Sequence, residues 1–285
     1  MKQKIPKLGV ALSLYDKVDC LETNVNIIRN HWKTNNDAFI SVCCNDPNSL
    51  EKIEKLDIQK LTPGDEIPIH TKAHRRSRIF DCITKSIMAC KSDFIIHYHS
   101  DAYALSAKDI MKIIDQMENE EKHVAFRGRG LSYRTDKCIN GDVDDHFIIF
   151  RRSEMMARNI FGGKETNKLE YFSVGNPESL LSLFLQLSFD ENELLFYSDM
   201  RENSVDPAAS ADNFYSDGIM HRAMNPYNID DTRGFVHIGD MTLVHDFLSE
   251  RGVSKELIKV KEHKQEHPPE NLNSTPDYLQ EWLNE

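Results

Sequence analysis

The 285-residue chain contains no apolar run near the ~18–20 residues that a bilayer-spanning helix needs. Its opening residues, Met1-Lys2-Gln3-Lys4, pass directly into strand-like sequence, so no secretory signal is expected. Basic charge is scarce: 35 Lys and Arg stand against 46 Asp and Glu, a formal charge of −11. Nucleic-acid binding needs a net basic surface, so nucleic acid is excluded as a partner, whereas a local basic pocket for a diphosphate is not. The six cysteines have neither paired nor zinc-knuckle spacing. That excludes a disulfide framework and points to buried thiols in a reducing, cytoplasmic compartment. Internal repeats and low-complexity tracts are absent too. What remains is ordinary globular material, 40% apolar and 28% charged, long enough for one large α/β domain or two smaller ones.

The pattern begins with a short apolar run, Leu8 to Leu14, fit for a buried strand. Leu21, Val25, Ile28 and Trp32 then fall on one face of a helix spanning Asp19 to Trp32. Ala38 to Cys44 is a second buried strand, closed by Asn45-Asp46-Pro47-Asn48-Ser49. Strand, helix and strand with short connections form a βαβ unit of a mainly parallel sheet. Ile79, Ile83, Ile87 and Cys90 mark a further helix from Arg75, and Phe94-Ile95-Ile96 begins a strand that ends in His97-Tyr98-His99-Ser100-Asp101. Ser106 and Asp109 stand as a capping-box variant at the start of a helix reaching Glu120. His123–Phe126 and Phe147–Phe150 read as strands, Leu180–Leu187 as a buried helix, and Asn203–Asp217 as a mobile loop over a site. Phe235–Ile238 and Met241–His245 read as the last strands of the sheet. Residues 1–250 are expected to form the catalytic domain, and 251–285 a charged tail in which Tyr278, Leu279, Trp282 and Leu283 dock as one short helix.

Ligands of open α/β sheets sit beyond the carboxyl ends of the strands, which makes the His/Ser/Asp cluster after Ile96 a candidate site from geometry alone. Ser13-Leu14-Tyr15, Asp46, the arginines Arg75 and Arg78, and His99-Ser100-Asp101 together resemble the GT-A glycosyltransferases of the family-2-like group, over about Leu8 to Phe247. The resemblance implies an α/β fold, a mainly parallel GT-A-like sheet flanked by helices. It also implies a nucleotide-sugar donor held by Ser13, Tyr15, Asp46, Arg75, Arg78, Ser100 and Asp101, and a glycan, lipid-linked or protein acceptor. The family's Asp-x-Asp motif is half present, because His99 occupies the place of the first Asp.

Departure of a sugar from a nucleoside diphosphate requires the charge developing on the phosphate to be neutralised, by a divalent ion or by Lys and Arg. Asp101 can ligate such an ion, and His99, two residues back on an extended chain, is expected on the same side. His245 is placed to complete the set by analogy with a C-terminal metal-binding histidine of some GT-A enzymes. An Asp/His/His set favours Mn²⁺ (or Mg²⁺, less well) as cofactor. Inversion needs a carboxylate base for the acceptor hydroxyl, and the resemblance points to Asp217, with Asp212 in reserve. Plainer roles exist for several of these residues: a turn for Asp46, an arginine partner for Asp101, a solvated helix start for Arg75 and Arg78, although arginines there oppose the helix dipole. Two other classes fit. One is a zinc hydrolase using His97-x-His99-x-Asp101, with His146, His237 or His245 as further ligands. The other is a non-catalytic sugar- or nucleotide-binding module.

Overall fold

A computed structural model describes residues 6–14, 17–65, 72–128, 143–161, 177–199, 214–216, 220–223 and 241–260. Strand β1 (Leu8–Leu14) is buried along its whole length. It pairs in parallel with β2 (Phe39–Cys44) on one side and β4 (Phe94–His99) on the other. Central parallel strands are covered on both faces, which is why these runs are almost continuously apolar. Helix α1 (Val18–Asn26), prolonged by a π-helical segment from Ile27 to His31, connects β1 to β2. After a 3₁₀ turn and the short α2 (Leu50–Ile53), β3 (Lys60–Pro63) pairs in parallel with β2. Helix α3 (Lys72–Ala89) then leads to β4.

Beyond β4 the chain forms β5 (Ala102–Ala104), α4 (Ala107–Asn119), β6 (Val124–Gly128), β7 (Val143–Arg151), α5 (Arg152–Ala157), α6 (Pro177–Ser188) and β8 (Leu194–Asp199). The main sheet has seven strands in the order β3-β2-β1-β4-β7-β6-β8, with β7 antiparallel to both of its neighbours. A second, three-stranded sheet joins β5 to β10 (Met220–Ala223) and β9 (Phe214–Ser216). The last described helix is α7 (Met241–Glu250). The expected class, an α/β domain on a mainly parallel sheet flanked by helices, is the one observed.

Alternation along the strands divides the core into two layers. Leu8, Val10, Leu12, Ile96 and Tyr98 join residues of α1 and α4 on one face, with Leu248, Val253, Ile258 and Val260 packed in the same layer. Ala11 and Ile95 join Phe80, Ile83 and Ile87 of α3 and Leu181, Phe184 and Leu185 of α6 on the other. Phe80 anchors this second layer, stacked on Phe184 with centroids 5.6 Å apart. Such pairs add about 0.5–1.5 kcal/mol beyond the area they bury. Among the described residues, no helix is long and apolar enough to cross a membrane.

Several elements differ from the sequence expectation. Met241–His245 lies in helix α7, not in a strand. A two-residue apolar run such as Leu243-Val244 does not distinguish the periods, and Leu248, four residues after Val244, supplies the helical contact to the core. The short strands β3, β5, β9 and β10 carry too few residues to show a period, and β9 falls inside the stretch read as a loop. Residues 251–260, assigned to the tail, pack on α1: Asn26 Nδ2 donates to the Leu257 carbonyl at 3.0 Å, and Lys259 N–H to Thr23 Oγ1 at 2.8 Å. Phe235–Ile238 and the docking helix of Tyr278–Leu283 lie outside the described residues. The five described cysteines are buried thiols outside any disulfide, and Cys138 lies outside the described residues.

Candidate functional site

The carboxyl ends of β1, β2 and β4 lie side by side, because Ser13 and Leu14 are in register with Cys43 and Cys44, and Ser13 with His99. Three polar groupings gather there. The first is an ion pair: Lys17, the residue immediately before α1, places Nζ 2.9 Å from Asp101 Oδ2. Both side chains are mostly buried, 17% exposed for Lys17 and 9% for Asp101. A lysine at a helix N-terminus opposes the helix dipole, so α1 itself gives no reason for it, and Asp101 is what compensates its charge.

Helix α1 also sets the loop that carries Asp101. Asn24 is buried, and its Nδ2 donates to the carbonyls of Ser100 at 2.7 Å and Ala102 at 3.0 Å. Ser100 N–H donates to the Ser13 carbonyl at 3.1 Å. Trp32 Nε1 donates to the Ala104 carbonyl at 2.8 Å, and the buried Tyr103 shares the core layer of Cys20. The turn from β4 into β5 is therefore clamped from one side by Lys17, Asn24 and Trp32 of the α1 segment.

The second grouping lies on the α3 face. His99 Nδ1 is 3.3 Å from Ser13 Oγ, and its ring meets His97 edge-on at 5.6 Å between centroids. His97 is fully buried. The third is formed by β2 and α3. Asn45 Nδ2 donates to the Arg78 carbonyl at 2.6 Å, and Arg78 Nη2 donates back to the Asn45 carbonyl at 3.2 Å. Gly64 is required beside it, since a Cβ there would collide with the Asn45 side chain. The loop after β3 is tied to α3 through Asp81, whose Oδ2 accepts from Asp65 N–H at 2.9 Å and lies 3.1 Å from Lys85 Nζ. Burial raises the Asp81 carboxyl above its ordinary range, with the Asp65 N–H and Lys85 acting against that shift.

The expected site residues divide accordingly. Ser13, Arg78, His99, Ser100 and Asp101 come to this end of the sheet. Asp46 lies there too, but its carboxylate is used within its own turn, accepting from Asn48 N–H at 3.1 Å and from the Asn48 and Ser49 side chains. Arg75 lies on α3; its side chain, Tyr15, Asp212 and Asp217 are outside the described residues. His245 sits on α7 with Nε2 2.9 Å from the Val260 carbonyl.

The expected placement of His99 beside Asp101 assumed an extended chain. The chain instead turns at Ser100-Asp101, where β4 ends. His99 stays on the α3 face with Ser13 and His97, while Asp101 is drawn to α1, to Lys17 and the neighbourhood of Cys20 and Tyr103. Among the described residues no group of three or more His, Cys, Asp or Glu side chains is gathered as a metal would require. Asp101, His99 and His245 are thus not gathered as the expected Mn²⁺ (or Mg²⁺) site needs, among the described residues. Lys17 and Asn24 were missed by sequence reasoning. Their signals were a lysine just before a helix and an asparagine on that helix's apolar stripe.

No protein-family model matches the chain, and no curated protein sequence matches it. Solved structures do match. They include S. aureus TarS 1–349 (13% identity, TM-score 0.43, covering 68% of this chain and 60% of that one). Another is the mannosyltransferase PcManGT from Pyrobaculum calidifontis in complex with GDP-Man and Mn²⁺ (11%, TM-score 0.44, 69% and 56%). A third is 4-diphosphocytidyl-2C-methyl-D-erythritol synthase from Anaerococcus prevotii (10%, TM-score 0.41, 68% and 87%). The chain spans 60% and 35% of the lengths of two TarS structures that it matches.

Proposed function

We propose that the chain is a glycosyltransferase that moves a sugar from a nucleoside-diphosphate sugar to an acceptor hydroxyl, with inversion. The observation that carries this reading is the buried Lys17–Asp101 pair beyond the carboxyl ends of β1 and β4, with Ser13 and Arg78 at the same end of the sheet. This is where an open α/β sheet binds its ligand. A fixed ammonium and a guanidinium there suit a diphosphate, by charge and by their N–H donors.

In the reaction, the acceptor oxygen attacks the anomeric carbon as the bond from that carbon to the diphosphate oxygen breaks. The bonding pair departs with the diphosphate, and the acceptor's proton passes to a carboxylate, for which Asp217, then Asp212, is the candidate. Positive groups facing the leaving oxygens lower the barrier, because the charge there grows as the bond breaks. The reading is tested by thermal unfolding with UDP, GDP and CDP and, separately, with Zn²⁺. A ligand that binds only the folded chain raises its melting temperature. A nucleoside diphosphate is expected to raise it; stabilisation by Zn²⁺ alone would favour a hydrolase instead. Nucleotide binding without turnover of any nucleotide sugar would point to a non-catalytic module.

A further inference from the structure

We infer that the donor site works without a divalent metal, Lys17 standing at Asp101 in the place of the cation. This rests on the nucleotide-sugar reading above. Three observations converge on it. The carboxylate best placed to ligate an ion already holds an ammonium, 2.9 Å from Oδ2. The second expected ligand, His99, is turned to the other face of the sheet, against Ser13 and His97. The third, His245, engages the Val260 carbonyl from α7.

A dication arriving at Asp101 would meet Lys17 at contact range in a poorly solvated pocket, where like charges repel more strongly than in water. The pair is also built to persist. Asn24 pins the carbonyls on either side of Asp101, and Lys17 is held by the start of α1. An ammonium has three N–H donors. One is used by Asp101, which leaves two directions for phosphate oxygens. Asp101 is then a positioning residue for Lys17, and Lys17 is the group that meets the diphosphate.

Isothermal titration of the full chain with UDP, GDP and CDP, each in EDTA and each in millimolar MnCl₂, tests this. At least one nucleotide is expected to bind equally well, within about twofold, in the two conditions. Lys17→Ala is expected to weaken that binding in EDTA by about 10- to 100-fold, the usual effect of losing a charged hydrogen bond. Lys17→Arg, which keeps the charge, should restore most of it. With the ammonium gone, its repulsion of a cation at Asp101 is lifted, so Lys17→Ala should also acquire a Mn²⁺ response that the wild type lacks. Wild-type binding that requires MnCl₂, or unchanged binding by Lys17→Ala, would overturn the inference and leave the nucleotide-sugar reading standing. Failure of every nucleotide in both conditions would remove that reading, and the inference with it. The wild-type comparison involves no variant, so it decides the question even where Lys17→Ala fails to fold.

Discussion

The two ends of the main sheet use the same kinds of polar residue for different purposes. At the amino ends of β6 and β8, Arg158 meets Glu193 through two hydrogen bonds, one of them 2.9 Å from Nη1 to Oε2. Arg158 also lies over the Phe189 ring at 4.4 Å and within 3.6 Å of Glu154, and His123 stands 3.4 Å from the same Glu193. Fork-to-fork geometry satisfies both partners, so this end is closed and structural. A shallow hollow of about 620 Å³ beside it, lined by Lys122, Asp190, Glu191 and Asn192, touches none of the site residues. At the carboxyl ends of β1 and β4 the pair is a lysine on a single carboxylate oxygen, 2.9 Å away, in a loop clamped by a neighbouring helix. One end spends its charges on each other. The other holds a point charge on one carboxylate oxygen, which under the proposed function is what a diphosphate would meet.

The largest effect is expected from Asp101→Ala. If the pair serves the reaction, turnover of a nucleotide sugar should fall by roughly 100–1000-fold, or about 3–4 kcal/mol of transition-state stabilisation, with the circular dichroism spectrum unchanged. Equal turnover would reduce Lys17–Asp101 to a second staple. Asn24→Ala comes next. Leaving the Ser100 and Ala102 carbonyls without their buried donor should cost about 1–3 kcal/mol in denaturant unfolding. Turnover should fall with it because Asp101 loses its support. Stability lost with turnover intact would show that the loop keeps its shape without α1.

The smallest effect belongs to the far end. Arg158 holds the Glu193 carboxyl down to about 2, below its ordinary value of 4.5. A depressed carboxylate stabilises the fold above its unfolded value, and the benefit drains away as pH falls from 4.5 toward 2. Glu193→Gln should therefore cost about 1 kcal/mol near neutral pH, in line with a partly solvated ion pair. The gap from wild type should narrow progressively as unfolding is measured at more acidic pH, and turnover should not change. A gap that widened in acid would reverse the assignment of this pair.

Sequence alone sets the class of the fold and the end of the sheet at which a polar cluster gathers. The runs Leu8–Leu14, Ala38–Cys44 and Phe94–Ile96 are too apolar for anything but covered strands, and their order with the intervening helices leaves a parallel sheet. A polar cluster after the last of them has to lie at the carboxyl edge. The tertiary structure decided which polar residues meet. Periodicity places side chains only while the backbone stays regular, and the chain turns at Ser100-Asp101, so the two-residue rule that put His99 beside Asp101 fails at the point where it was needed. Lys17 and Asp101 are 84 residues apart, and their meeting depends on the parallel register of β1 with β4 and on the Asn24 clamp. An ion pair of that kind is a contact between loops. Loops carry no period, so their partners are chosen only when the sheet brings the strand ends together.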